Sequence, residues 1–63
     1  MRIFTRDNYP DGKYLVNVFC LSTEDKPTDD IATGSFGFEV DTGDVYAYDE
    51  TSETWTKQFS FQD

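Results

Sequence analysis

Phe36, Phe38 and Val40 alternate with Gly37, Glu39 and Asp41, the period-2 pattern of a half-buried strand. Val45-Tyr46-Ala47-Tyr48 follows, rich in strand-favouring side chains. Between them Asp41-Thr42-Gly43 predicts a tight hairpin. A two-residue loop at Thr42-Gly43 would set Asp41 opposite Asp44, and like charges directly opposite are unfavourable. A three-residue loop with a bulge at Gly43 avoids this, and pairs Phe38 with Tyr46 and Phe36 with Tyr48. That register puts Gly37 and Ala47 side by side on the other face, in a shallow trough that Trp55 or a second subunit could fill.

The rest of the chain extends the β pattern. Arg2–Thr5 reads as a short strand, and Tyr9-Pro10-Asp11-Gly12 as a turn. Lys13–Leu21 is apolar on both parities, which predicts a strand that is central or covered on both sides. Ser22–Thr33 is polar, contains Pro27 and has no period. It reads as a surface loop with Ile31 dipping into the core, with Ser22 and Asp25 able to cap at most one helical turn. Loops of this length usually serve a purpose or touch a partner. Glu50–Glu53 is a second turn, Trp55–Phe61 the last strand, and Gln62-Asp63 a tail expected to fray. The expected fold is all-β: a single domain over 1–63, four or five antiparallel strands in a meander or small open barrel.

Size changes that picture. A chain of 63 residues buries only about 60% of the surface its unfolded form exposes. Cys20 is the only cysteine and histidine is absent, so neither an internal disulfide nor a Cys/His zinc site can staple the fold. An efficient aromatic core or oligomerisation must do so instead. Aromatics make up 17% of the chain, which favours a core and leaves rings to spare. The lone thiol suits a reducing compartment.

The formal net charge is −8, from 13 acidic and 5 basic residues, which speaks against phosphate-mediated nucleic-acid binding and against an anionic membrane as partner. No stretch approaches about 18 consecutive apolar residues, and the first residues lack a signal peptide's apolar core.

Catalytic equipment is thin. Without histidine, acid–base work would need a strongly shifted carboxyl or lysine, and Asp29-Asp30 and Asp49-Glu50 sit in turns where water keeps them ionised. Cys20 lies in an apolar strand and reads as an inert buried thiol. Asp41-Thr42-Gly43-Asp44 lacks the ligand spacing of a calcium loop. No catalytic residue, cofactor or metal is therefore assigned. Tyr46, Tyr48 and Trp55 could stack on a glycan or peptide, although half-buried sheet packing is the simpler account. Phe59 and Phe61, near the C-terminus, could dock on a neighbouring chain. The candidate interface residues are Gly37, Ala47, Tyr46, Tyr48, Trp55, Phe59 and Phe61.

Lys26-Pro27-Thr28, Ile31-Ala32-Thr33-Gly34-Ser35, Glu39-Val40-Asp41-Thr42-Gly43, Val45-Tyr46-Ala47-Tyr48-Asp49-Glu50 and Trp55 together resemble a small β-module of tailed-bacteriophage and prophage structural proteins. Such modules occur near capsid genes and within head-fibre and tail-fibre proteins. The resemblance spans Lys26–Trp55, and Phe59 and Phe61 lie beyond it. It implies a non-enzymatic virion protein, made in the bacterial host cytoplasm, that decorates the capsid or anchors a fibre. Its expected partners are capsid or fibre proteins and itself, as a homo-oligomer for which a trimer would suit a capsid lattice. Two other readings stand beside it. One is an acidic nucleic-acid mimic that inhibits a host enzyme, motivated by the charge. The other is a glycan- or peptide-binding module, motivated by the aromatics.

Overall fold

Pro10, Asp11 and Gly12 close the first hairpin. Gly12 adopts φ +89° and donates to the Tyr9 carbonyl at 3.0 Å, while Tyr9 donates to Lys13 at 2.9 Å. The strands on either side are β1 (Arg2–Asn8) and β2 (Tyr14–Cys20), followed by β3 (Phe36–Glu39), β4 (Asp44–Asp49) and β5 (Thr54–Ser60). The computed structural model describes residues 1–61, and the fraying expected of Gln62 and Asp63 lies outside them. The fold is all-β, with no helix among the described residues.

The five strands form one open sheet in chain order. β1/β2, β3/β4 and β4/β5 are antiparallel, but β2 and β3 are parallel, with Val18 beside Gly37 and Cys20 beside Glu39. This corrects the expected antiparallel meander or small barrel. The chain leaves β2 at Cys20, crosses one face of the sheet through residues 21–35, and enters β3 from the end where β2 began. A parallel pair needs a crossover of a dozen or more residues, and this connection is long enough to be one.

The crossover is the lid of a small core. Ile31 and Ala32 are buried, and Ile31 joins Val16, Val18, Cys20 and Tyr48, with Trp55 packed against them. Backbone bonds stitch the crossover to β2: Tyr14 donates to Asp30 at 2.7 Å and Ala32 to Tyr14 at 2.9 Å. The fully buried Ser35 hydroxyl accepts from the Val16 amide at 3.1 Å and donates to the Ala32 carbonyl at 2.8 Å. Ser22 does not cap a turn with Asp25. Its amide and hydroxyl instead reach the Asp41 carboxylate, at 2.9 and 2.7 Å. These bonds, the hydroxyl's first, hold Asp41 below the usual carboxylate range.

The β3/β4 register also departs from expectation. Glu39 faces Asp44, Phe38 faces Val45, Gly37 faces Tyr46 and Phe36 faces Ala47, so the chain reverses over residues 40–43. The predicted pairs Phe38/Tyr46 and Phe36/Tyr48 are each off by one residue. Such a slip moves a strand's side chains to the opposite face. Gly37 and Ala47 therefore lie on different faces. Only one face of β2 is covered: Phe19 on its other face, and Leu21 just beyond its end, remain exposed.

Candidate functional site

The register divides the seven candidate residues between two environments. Gly37, Tyr46, Tyr48 and Trp55 lie under the crossover. Ala47, Phe59 and Phe61 lie on the bare side of the sheet.

Under the crossover the rings are fixed by the chain itself. The Trp55 indole N–H donates to the Pro27 carbonyl at 2.8 Å, and the Tyr48 hydroxyl to the Thr28 carbonyl at 3.1 Å. Their ring centroids are 5.1 Å apart. Lys26 lies across Gly37 and Tyr46. Its ammonium sits 3.9 Å from the Tyr46 ring centroid and 2.8 Å from the Glu39 carboxylate, with both charged side chains less than a tenth exposed. Thr42 donates to the other Glu39 oxygen at 3.0 Å. Gly37 leaves the room for this. A Cβ there would meet Trp55 Cζ3 at 3.1 Å and the Lys26 stem at 3.3 Å. These four residues are packing partners of the crossover and present no free platform. Cys20 is buried on this side as well, and desolvation pushes its thiol above its ordinary value, which keeps it protonated and unreactive at neutral pH.

The bare face is different. Pairing places Arg2, Phe4, Leu15, Asn17, Phe19, Phe36, Phe38, Val45, Ala47, Thr56 and Phe59 on it, since directly opposed residues share a face. Across its upper part the phenylalanines form an unbroken series of edge-to-face contacts. Phe4 to Phe19 is 5.9 Å, Phe19 to Phe38 6.4 Å, Phe38 to Phe61 5.9 Å and Phe61 to Phe59 5.2 Å. Such pairs contribute roughly 0.5–1.5 kcal/mol each beyond their burial. The rings shield Val45 almost completely, yet Phe4 and Phe59 are half exposed and Phe61 is 70% exposed. At the same end a hollow of about 310 Å³ opens between β1 and the start of the β3–β4 turn, lined by Met1, Arg2, Phe19, Cys20, Leu21, Glu24 and Val40, with Glu24 paired to the Met1 ammonium at 3.1 Å.

Acidic charge is kept away from the ring-bearing end of this face, where the charged residue is Arg2, its guanidinium 6.0 Å from the Phe4 ring centroid. The residues that pairing assigns to the face include only Asp7 and Asp49 as acids, both at the end away from the phenylalanines. Asp29, Asp30, Glu50 and Glu53 line a polar hollow of about 330 Å³ with Lys13, Thr28 and Tyr48. Asp41 and Asp44 lie at the opposite end, in and after the β3–β4 turn. Hydrogen bonding from the Ser60 side chain, then Lys57, holds Asp44 below the usual carboxylate range. Among the described residues no three acidic or thiol groups are placed to hold a metal ion.

Both free edges of the sheet are interrupted. β1 is bulged at Arg6, between Thr5 and Asp7, and β5 at Gln58, between Lys57 and Phe59. Edge bulges and edge charges such as Arg6 and Lys57 discourage strand addition.

The sequence singles out Phe59 and Phe61 as candidate docking residues but not Phe4, Phe19 or Phe38, which the structure places in the same ring series. The available signal was parity: Phe19 lies on the opposite parity to Val16, Val18 and Cys20, so only one of the two sets can face the core. No protein-family model, curated protein or solved structure matches the chain.

Proposed function

We propose that this chain is a non-enzymatic structural protein of a tailed-phage or prophage particle, a small β-module that decorates the capsid or anchors a fibre. Assembly runs through its open phenylalanine face. The observation that carries the assembly role is the continuous series Phe4–Phe19–Phe38–Phe61–Phe59, exposed at every ring but the half-buried Phe38, with the acids of the face kept to one distant end. Contiguous apolar patches of several hundred Å² on small soluble chains mark interaction surfaces. The phage setting comes from the resemblance carried by Lys26–Trp55.

The face suits a protein partner better than a glycan. Phenylalanine offers no hydrogen-bonding group, and few polar side chains stand beside these rings. Tyr48 and Trp55, which could supply such groups, are engaged under the crossover.

The test is to purify particles from cells that carry the gene and to look for the chain by mass spectrometry. It is expected in the particle fraction in fixed ratio to the major capsid or fibre protein. A Phe19→Ser variant, altered at an exposed ring, is expected to lose at least 90% of that incorporation, in line with a hot-spot residue worth about 2 kcal/mol or more. Absence of the wild-type chain from purified particles would overturn the virion reading.

A further inference from the structure

We infer that the open face packs against the same face of a second copy, forming a two-fold dimer in which Phe61 of each chain enters the hollow of the other. The inference rests on the reading of this face as the assembly surface, and it names the occupant.

Four observations converge on a second copy. First, an apolar sheet face must be buried against another layer, and here the crossover covers one face while Phe4, Phe19 and Phe59 stay exposed on the other. A second sheet stacked about 10 Å away is the usual remedy. Secondly, bulges at Arg6 and Gln58 obstruct both edges, so association by strand addition is disfavoured and the face remains. Thirdly, the area fits. The two longer extents of the molecule, 38 and 21 Å, leave room for the ~800 Å² per partner of a standard stable interface.

The fourth observation fixes the geometry. The knob and the hole lie at the same end of the sheet but on opposite flanks. Phe61, which donates to the Gly43 carbonyl at 2.9 Å, is on the β5 side, and the hollow, in which Met1, Phe19, Leu21 and Val40 stand beside the charged Arg2 and Glu24, is on the β1 side. A two-fold axis parallel to the strands, passing over β3, keeps like ends together and exchanges the flanks. It lays β5 of one copy over β1 of the other. Phe61 then faces its partner's hollow, and by symmetry the contact is made twice. An in-plane axis perpendicular to the strands would instead bring the phenylalanines onto the end that carries Asp7 and Asp49, setting apolar rings against carboxylates.

The experiment uses the full chain. Light scattering over a concentration series is expected to reach twice the monomer mass. Phe61→Ser and Leu21→Ser both alter exposed positions, so circular dichroism should be unchanged. Each should raise the dimer dissociation constant about 30-fold or more, the effect of losing a hot-spot side chain. In a Cys20→Ser background, a mixture of Leu21→Cys and Phe61→Cys chains should oxidise to the mixed disulfide in preference to either like pair. A monomer at every concentration, a trimer or larger ring, a dimer indifferent to both serine substitutions, or cross-links that favour like cysteines would each overturn the inference. A monomer that still copurifies with particles would overturn it while leaving the virion reading intact. A dimer absent from particles would do the reverse.

Discussion

Gly37 is the residue on which the covered face turns. Its missing side chain lets Trp55 and the Lys26 stem lie against the sheet, and neither neighbour can easily yield. The indole is tied to Pro27, and the lysine to Glu39 and the Tyr46 ring. Adding one methyl group should therefore overpack the site even though alanine suits a strand better than glycine does. Gly37→Ala is expected to cost about 1–2 kcal/mol, at the low end for an inserted methylene in a packed core. Urea denaturation would read it as a lower midpoint at unchanged slope. An unchanged or higher midpoint would mean that the Trp55 ring or the Lys26 stem gives way freely. The sequence offers Trp55 or a second subunit to fill a trough at Gly37 and Ala47, and the structure seats Trp55 against Gly37 alone. Ile31, the one bulky apolar residue in a polar loop, was legible as a core residue. Ala47 was misplaced because the strand register that positioned it was misread.

At the level of elements, the misreading has a definite cause. The expected register keeps Asp41 away from Asp44, yet the observed one sets Glu39 opposite Asp44. Two acids can face each other here because each has its own cation, Lys26 for Glu39 at 2.8 Å and Lys57 for Asp44 at 3.3 Å. One comes from the crossover and the other from β5, so no argument confined to β3 and β4 could weigh them. The parallel β2/β3 pair was hidden in the same way. The loop's length permits a crossover, but local pattern does not say which face the loop will cross. The crossover's anchor can be tested directly. Lys26→Met leaves the Glu39 charge buried and unpaired, a loss of about 3–5 kcal/mol. Small cores rarely supply more than roughly that amount in total, so the variant should be largely unfolded at room temperature. Glu39→Gln in the same chain removes the stranded charge and keeps an acceptor for Thr42, and it should restore most of the folded population by circular dichroism. If Lys26→Met alone stays folded with an unchanged urea midpoint, the ion pair does not anchor the crossover.

At the scale of the whole molecule, charge and apolar surface act on association in opposite directions, and salt separates them. Each copy carries a formal charge of −8, borne chiefly by the loops and the crossover side, while the phenylalanine face is nearly free of acids. Two copies meeting face to face gain apolar burial against long-range repulsion between like charges. Screening weakens the repulsion and leaves the burial intact: the Debye length falls from about 10 Å at 0.1 M to about 3 Å at 1 M. Self-association should therefore tighten several-fold across that range, read as a shift in the light-scattering midpoint to lower protein concentration. A basic partner would behave in the opposite sense, since its attraction to the acidic loops is what salt removes. Complexes that dissolve as salt rises would place the working surface on the acidic side, around Asp29, Asp30, Glu50 and Glu53. Complexes that strengthen would place it on the rings.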